Sequence, residues 1–521
     1  KRWDWYTFNA SLNWKNNFDK HHFDILSLFE ARWTKASTML GSKSDYNFLI
    51  PELDMGPSPE ASIWGLNGTS ASTAVCGVVG RINYDYDQKY LLELAGRYDA
   101  TYFYAPGKRT DFFPSLSAGW RISEEPFMAF SRNTIDNLKL RASYGKSGLT
   151  TGDEFAYMNY YKIGAASYVW GTGDEQVRQQ GIYADKESNP DLTWQSVWKT
   201  NIGFDLNMWN GLVGLEIDYY HEKRTNKVLN PTAGVTSEYG INLAQENAGI
   251  DLRRGIDISL KNQTKAGDFT LSNVATFTFT RLQQIEIHEN QGSLYNSRKR
   301  QTGLPGSQLW GYQSAGLFKD MEEIQNWAFQ DNGTLPGDIK YIDQNHDSKI
   351  DGEDIVHIGL SQIPEIMFGY NFRAEWKGFD AGFFIQGTGR SNYNLSSADK
   401  GVIHPFARNK ARTEMLQSWT TDNPNAAYPR LRSSQFAKNY EASDFWIVNS
   451  SYIKLKSIDL GYNLKPEWMK ATGLSRLRIY ANFYNVWTIF SKTSKDFDPE
   501  SQQYSAYPQQ FISTIGLSAT F

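Results

Sequence analysis

The segment best equipped for chemistry runs from Asp343 to Asp354. Asp343, Asn345, Asp347, Asp351 and Asp354 stand at positions one, three, five, nine and twelve of a twelve-residue stretch, and the backbone carbonyl of Lys349 supplies position seven. This is the oxygen spacing of an EF-hand calcium loop, in which hard ligands wrap a cation. Two positions depart from that pattern: Ser348 replaces the turn glycine, and Asp354 replaces the longer bidentate glutamate. No helix pair clearly flanks the stretch, so the alternative is a solvated acidic turn. Calcium is the expected ion rather than magnesium, because the stretch offers many carboxylates.

Aromatic side chains are the second set. Trp64, Tyr168, Trp170, Trp310 and Tyr312, with Trp327, lie between the regular apolar runs. Rings of this kind stack on the apolar faces of sugars and suit concave ligand sites; the alternative is packing within loops. The seven histidines are dispersed apart from His21-His22, and none forms a His-x-x-x-His or Glu-x-x-His pair, so zinc is not expected. The lone Cys76 allows no intrachain disulfide and no multi-cysteine metal site. Glu124-Glu125 and Glu322-Glu323 read as solvated charge, and no Ser-His-Asp motif is recognisable. No catalytic site is expected.

Composition narrows the class of molecule that must position these residues. Charged residues make up 21% of the 521, and the net charge is only −4, without the basic excess of a nucleic-acid surface. The chain carries 17 Trp, 30 Tyr and 30 Phe, yet its mean hydropathy is polar. A membrane β-barrel has that balance, since only one face of each strand is apolar and aromatic girdles mark both interfaces. No apolar run reaches the roughly 18 residues of a spanning helix.

The elements announce themselves by alternation with period two. Tyr6, Phe8, Ala10, Leu12 and Trp14 share one face against Thr7, Asn9, Ser11 and Asn13. Val213, Leu215, Ile217 and Tyr219 likewise oppose Glu216 and Asp218. Fifteen strands are expected, at 5–16, 22–37, 74–87, 89–101, 112–122, 136–146, 195–209, 211–224, 250–264, 267–283, 366–377, 379–393, 445–464, 474–489 and 510–521. Their connections alternate short and long: 17–21, 87–88, 123–135, 210, 265–266, 378 and 465–473 against 38–73, 102–111, 147–194, 225–249, 284–365, 394–444 and 490–509. A sandwich has no reason to keep its long loops at one end, whereas an outer-membrane barrel does. A transmembrane antiparallel β-barrel is therefore expected, with Trp14, Trp33 and Trp209 as interface anchors. The apolar set shifts from Ile453 and Leu455 to Ile458, Leu460 and Tyr462, which predicts a β-bulge near Lys456-Ser457.

Several stretches resemble the SusC/RagA group of TonB-dependent transporters. They include Gly80-Arg81-Ile82-Asn83-Tyr84-Asp85-Tyr86, Arg97-Tyr98-Asp99, Phe113-Pro114-Ser115, Gly119-Trp120-Arg121-Ile122 and Asn137 to Gly145. Further along come Gly337-Asp338-Ile339-Lys340-Tyr341, Lys377-Gly378-Phe379-Asp380, Tyr484-Asn485-Val486-Trp487 and Asp498-Pro499-Glu500. The resemblance implies that residues 1–521 are the C-terminal part of a barrel of about 22 strands, with the plug and the segment engaging TonB lying before Lys1. It also implies oligosaccharide cargo, with peptide as runner-up. The implied partners are a SusD-like surface lipoprotein, TonB and outer-membrane lipid, with assembly into a dimer of transporter–lid pairs. Region 284–365 is expected to be a long extracellular loop carrying the Asp343–Asp354 segment. The competing reading is a secreted β-rich adhesin or enzyme, which would stay folded and monomeric without detergent.

Overall fold

The computed structural model describes every residue except 44–62, 171–176, 232–238, 396–412, 433–435, 470–472, 494–497 and 502–506. Side chains of 42–43, 63–67, 163–170, 177–180, 414, 466 and 469 are likewise outside the described set. Fifteen strands pair in chain order in one antiparallel sheet: Arg2–Phe18, His21–Lys43, Ile63–Tyr86, Tyr90–Thr101, Thr110–Arg121, Ile135–Leu149, Gln195–Met208, Val213–Leu229, Glu246–Ala266, Phe269–Glu286, Ile366–Trp376, Phe379–Gly389, Tyr452–Asn463, Arg476–Ser491 and Ile512–Thr520. Each expected strand has its counterpart. Among the described residues no helix is long and apolar enough to cross a membrane.

The short connections are tight because their backbones adopt the left-handed region. Asp87 and Gln88 have φ of 53° and 54°, and Lys377 and Gly378 have 46° and 90°. Positive φ at both central residues is the type I′ hairpin, whose twist matches that of the strands it joins. Gly378 is required there twice over, since an added Cβ would also lie 2.7 Å from the Asn463 carbonyl oxygen.

Contacts divide the chain into two compact units. The first comprises Lys1–Arg121, Arg141–Thr200 and Lys223–Ile250. One face of its strands carries large apolar residues in register: Phe29 opposes Val78, Val78 opposes Tyr98, and Tyr98 opposes Phe112. All four are exposed. The other face is charged and paired: Arg97 donates to Asp99 at 2.6 Å and to Glu30 at 3.1 Å, and Lys146 reaches Asp111 at 2.7 Å. Where the strands run on into connections, Tyr104, Phe113, Ala156, Leu192 and Trp194 form a small core of their own.

The second unit comprises Ile122–Leu140, Asn201–Glu222 and Asp251–Phe521. Its strands repeat the two-faced pattern. The expected bulge is present: Phe384 opposes Ser457 and Ile385 opposes Leu455, so Lys456 is left out of the ladder. The extra residue returns Ile458, Leu460 and Tyr462 to the apolar face.

Four expectations about connections and strand ends are corrected. Residues 38–73 are not wholly a loop, because strands run to Lys43 and resume at Ile63; strands likewise run to Leu229 and resume at Glu246. The expected strand 445–464 divides, Ile447–Asn449 pairing with Asn392–Asn394 before the wall strand starts at Tyr452. Region 147–194 contains a ribbon of Tyr160–Trp170 with Val177–Lys186. For 38–73 and 225–249 the cause is common: beyond the apolar band both strand faces meet water, so alternation disappears while backbone pairing continues.

Candidate functional site: the folded connections and the polar face

Region 284–365 is no plain loop. Leu309–Gly311 pairs with Val356–Gly359, and Ser314–Leu317 with Ile339–Tyr341. These ribbons bring Tyr312, Ile339, Tyr341 and Ile350 against Tyr393, Leu395, Met415, Tyr440 and Trp446 in one apolar core. Tyr312 stacks on Tyr341 at 5.0 Å, and Tyr440 on Trp446 at 5.9 Å.

A buried polar network holds the core together. Asp338, fully buried, accepts from the Leu335 amide at 2.7 Å, from Asn439 Nδ2 at 2.9 Å and from the Arg432 guanidinium. Asn439 in turn accepts from the Ile339 amide at 2.9 Å. Gln330 takes the Tyr341 amide at 2.6 Å and donates to the Ile339 carbonyl at 3.0 Å. Trp446 Nε1 donates to the Asn439 carbonyl at 2.7 Å. A charge this deep is tolerated only with such partners. Gly337, at φ 87°, passes so close to Trp419 that a Cβ would lie 2.4 Å from its ring. The stretch Gly337–Tyr341 is therefore the keystone of the connections. Residue-type reasoning missed Asp338, Gln330, Arg432 and Asn439; only the resemblance at Gly337–Tyr341 pointed there.

This core corrects one candidate for ligand stacking. Tyr312 is 6% exposed, its ring sandwiched in the core instead of facing solvent. Trp310 is half-buried and lies edge-on to His357 at 6.0 Å. Trp327 is also half-buried, with its Nε1 donating to the Tyr341 carbonyl at 2.7 Å. The side chains of Trp64, Tyr168 and Trp170 lie outside the described residues. Trp14, Trp33 and Trp209 are exposed.

The acidic segment is wound by its own amides. Asp343 accepts from the amides of His346 at 2.6 Å and Ser348 at 2.8 Å, and Asp347 from that of Lys349 at 2.9 Å. Asn345 Oδ1 takes the Asp347 amide at 3.1 Å, and Asp351 that of Glu353 at 2.8 Å. Buried Asp354 takes the amides of Gln344 at 2.7 Å and Asp351 at 2.9 Å. Ser348 adopts φ 67°, the conformation a glycine would supply at that position. Burial pushes the Asp343 carboxyl up, but the amides of Ser348, His346 and Asp347 more than offset this and hold it below the usual range. Among the described residues no three His, Cys, Asp or Glu side chains are gathered as an ion requires. As it stands, the turn is closed by N–H groups in place of a cation.

The polar face of the second unit carries further paired charge. Glu365 accepts from Arg281 at 2.8 and 2.9 Å and from Arg390 at 2.7 Å. Asp380 accepts from Arg478 at 2.6 Å, and Lys454 lies 3.1 Å from Asp498. Lys456, the bulged residue, pairs with Glu500. Strand wall and terminal segment are tied together by these two lysines. A face of this kind suits water, and its opposite suits hydrocarbon; together they define the wall of a transmembrane β-barrel.

Comparison with known proteins agrees. The chain belongs to the family described as TonB dependent receptor-like, beta-barrel, whose profile matches residues 2–486. It is the barrel portion of an integral outer-membrane protein of the SusC/RagA type. It is 28% identical over 486 residues to TonB-dependent receptor P26 of Formosa agariphila, covering 86% of this chain and 46% of the relative. It is 26% identical over 463 residues to TonB-dependent receptor SusC of Bacteroides thetaiotaomicron, covering 85% of this chain and 43% of that protein. The RagAB peptide importer in its open-open state shares the fold with a TM-score of 0.80 at 20% identity, over 99% of this chain and 54% of the importer chain. The chain spans about half the length of these proteins.

Proposed function

We propose that this chain forms the wall and mouth of a TonB-dependent importer that carries oligosaccharides across the outer membrane beneath a SusD-like lipoprotein lid. The observation that carries the reading is the family match over residues 2–486, on strands with one apolar and one charge-paired face. Paired charges such as Glu365 with Arg281 and Arg390 keep the inner face wet without a strong field of either sign. Cargo of low charge passes such a lining without being trapped. Energy comes from TonB, through parts of the transporter outside this chain.

Uptake of labelled oligosaccharides and peptides by cells with and without the gene tests this, with a proton uncoupler as control. Uncoupler-sensitive glycan uptake that disappears with the gene is the expected result. Unchanged glycan uptake would sink it. Peptide is the second cargo reading, following the cargo named for the RagAB structures; loss of peptide uptake alone would select it.

Calcium at Asp343, Asn345, Asp347, the Lys349 carbonyl, Asp351 and Asp354 is part of the proposal. It is supported by the oxygen spacing and by the left-handed Ser348. The ion would replace amides now held by the carboxylates. Elemental analysis of the purified complex before and after chelation decides it, and absence of bound calcium removes the site.

A further inference from the structure

Near the bulge, the polar face of the second unit carries a segment from close to the end of the chain. On that face Thr388 opposes Tyr452 and Gln386 opposes Lys454. Asp498 fastens the segment there. Its carboxylate takes Lys454 Nζ at 3.1 Å, the Glu500 amide at 3.0 Å and the Gln509 amide at 2.9 Å. One carboxylate thus fixes both Glu500 and Gln509 beside the wall.

Between wall and segment is an open pocket of about 340 Å³, at the lower end of small-molecule sites. Gln386, Thr388, Tyr452 and Lys456 line it from the wall, and Glu500 and Gln509 from the segment. Apart from two prolines and the Tyr452 ring, the lining side chains are all polar. Lys456 closes on Glu500 Oε2, and Lys454 lies 3.7 Å from the same oxygen. With Asp498 counted, two lysines meet two carboxylates, so the pocket asks for no charge. Hydrogen-bonding groups are nevertheless left over. Glu500 Oε1, in a side chain only 12% exposed, and Thr388 Oγ1 have no partner among the described residues. The Tyr452 hydroxyl accepts from Gln386 at 3.1 Å and faces Glu500 without bonding to that oxygen. The exposed Gln509 carboxamide also has no partner among the described residues. An enclosed acceptor without a donor costs free energy. What the pocket wants is a donor, not a counter-ion.

We infer that this pocket is a subsite for one sugar ring of an uncharged oligosaccharide. One ring hydroxyl donates to Glu500 Oε1, and its neighbour bonds to the Gln509 carboxamide. The inference rests on the glycan reading of the cargo and adds to it a place on the wall. Hydroxyls suit the lining because each both donates and accepts. A peptide would bring side chains for which the lining has no apolar recess. So few bonds hold the ring weakly enough to release it again, as passage requires.

Saturation-transfer NMR titration of the whole transporter in detergent tests the site. Maltohexaose, cellohexaose and mannohexaose serve as neutral probes, tetragalacturonate as the acidic one and hexaalanine as the peptide. At least one neutral glycan should bind, and more tightly than the acidic glycan or the peptide. Gln509→Ala should weaken that binding about fivefold and Glu500→Gln about tenfold. Glu375→Gln, at an exposed carboxylate opposite Asp380 on the same face but outside the pocket, should change nothing. Thermal melts establish that each variant folds. Gln509→Ala removes no side-chain bond among the described residues and serves if Glu500→Gln does not fold. Binding of no neutral glycan would overturn the cargo reading and the subsite together. A neutral glycan bound equally by the wild type and Gln509→Ala would overturn the subsite and leave the cargo reading standing. Tighter binding of tetragalacturonate or hexaalanine, lost in the same variants, would give the pocket to an acidic glycan or a peptide and likewise overturn the proposal.

Discussion

Tyr98 and Tyr341 are the same residue in opposite circumstances. Tyr98 stands in the middle of the apolar face, 51% exposed, between Val78 and Phe112. Tyr341 is fully buried in the folded connections, its hydroxyl donating to the Lys438 carbonyl. The wall turns its large side chains outward because lipid is its apolar phase. The connections stand in water and must make an apolar phase of their own, in which enclosed polar groups such as Asp338 and Asn439 are held by partners. Two kinds of stability follow within one chain, and each should fail under changes the other tolerates.

The connections should fail hardest at Asp338. Asp338→Ala leaves the Arg432 guanidinium and Asn439 without their buried partner. Breaking a buried pair from one side costs about 3–5 kcal/mol. Hydrogen exchange should show the amides of Ile339–Tyr341 losing protection while the strands Ile366–Trp376 and Phe379–Gly389 keep theirs. Equal loss in both would show that the loop core and the wall are one cooperative unit.

The wall should fail where charge meets lipid. Leu94 is 45% exposed on the apolar face, and Leu416, in the connections, is 86% exposed. Leu94→Arg should cost about 2–4 kcal/mol in a bilayer, the range for arginine near the midplane of an outer-membrane barrel. Leu416→Arg should stay within about 0.5 kcal/mol, as solvated surface changes do. Denaturant unfolding in vesicles separates them. A silent Leu94→Arg would mean that this face does not meet hydrocarbon.

The same contrast explains what could be read from the sequence. The wall was legible because each strand records its environment locally, in the alternation of Leu92 and Leu94 with Glu93, and even the bulge at Lys456 left its mark as a shifted apolar set. The core of the connections was not, because Tyr312, Ile339, Met415 and Trp446 come from separate segments of the chain and share no period. Tyr312 looked like a ligand platform for that reason: its type was visible and its partner Tyr341 was not. Strand ends beyond the apolar band were equally silent, since Lys35 to Lys43 pair with Ile63 to Ser72 where both faces are wet.

A smaller effect should come from Ser348. At φ 67° a serine bears a backbone cost that glycine does not. Ser348→Gly should therefore stabilise the acidic turn by about 1 kcal/mol, read as slower exchange of the Ile350 amide, which donates to the Phe329 carbonyl. Faster exchange would mean that entropy lost by the glycine outweighs the strain relieved. The wall, far from the turn in sequence and differently stabilised, should not respond.

Acid should separate the two regions most gently. Glu323 sits 2.5 Å from Lys340, whose ammonium lies over Trp327 at 4.8 Å. Burial raises the Glu323 carboxyl, but hydrogen bonds from Lys340 and the Lys319 amide lower it further, leaving it below its ordinary 4.5. Asp343 is held below 3.8 in the same manner. A carboxyl depressed in the folded state contributes stability that is complete above its unfolded pKa and is lost as pH falls through the folded value. The connections should therefore loosen below about pH 4.5, while the lipid-facing row of Phe29, Val78, Tyr98 and Phe112 contains no carboxyl group. Exchange around Trp327, followed from pH 6 to 3, should rise in the wild type and follow a flatter course in Glu323→Gln. Identical acid profiles for the two proteins would remove Glu323 as the cause, and simultaneous loosening of the wall would remove the distinction between the regions.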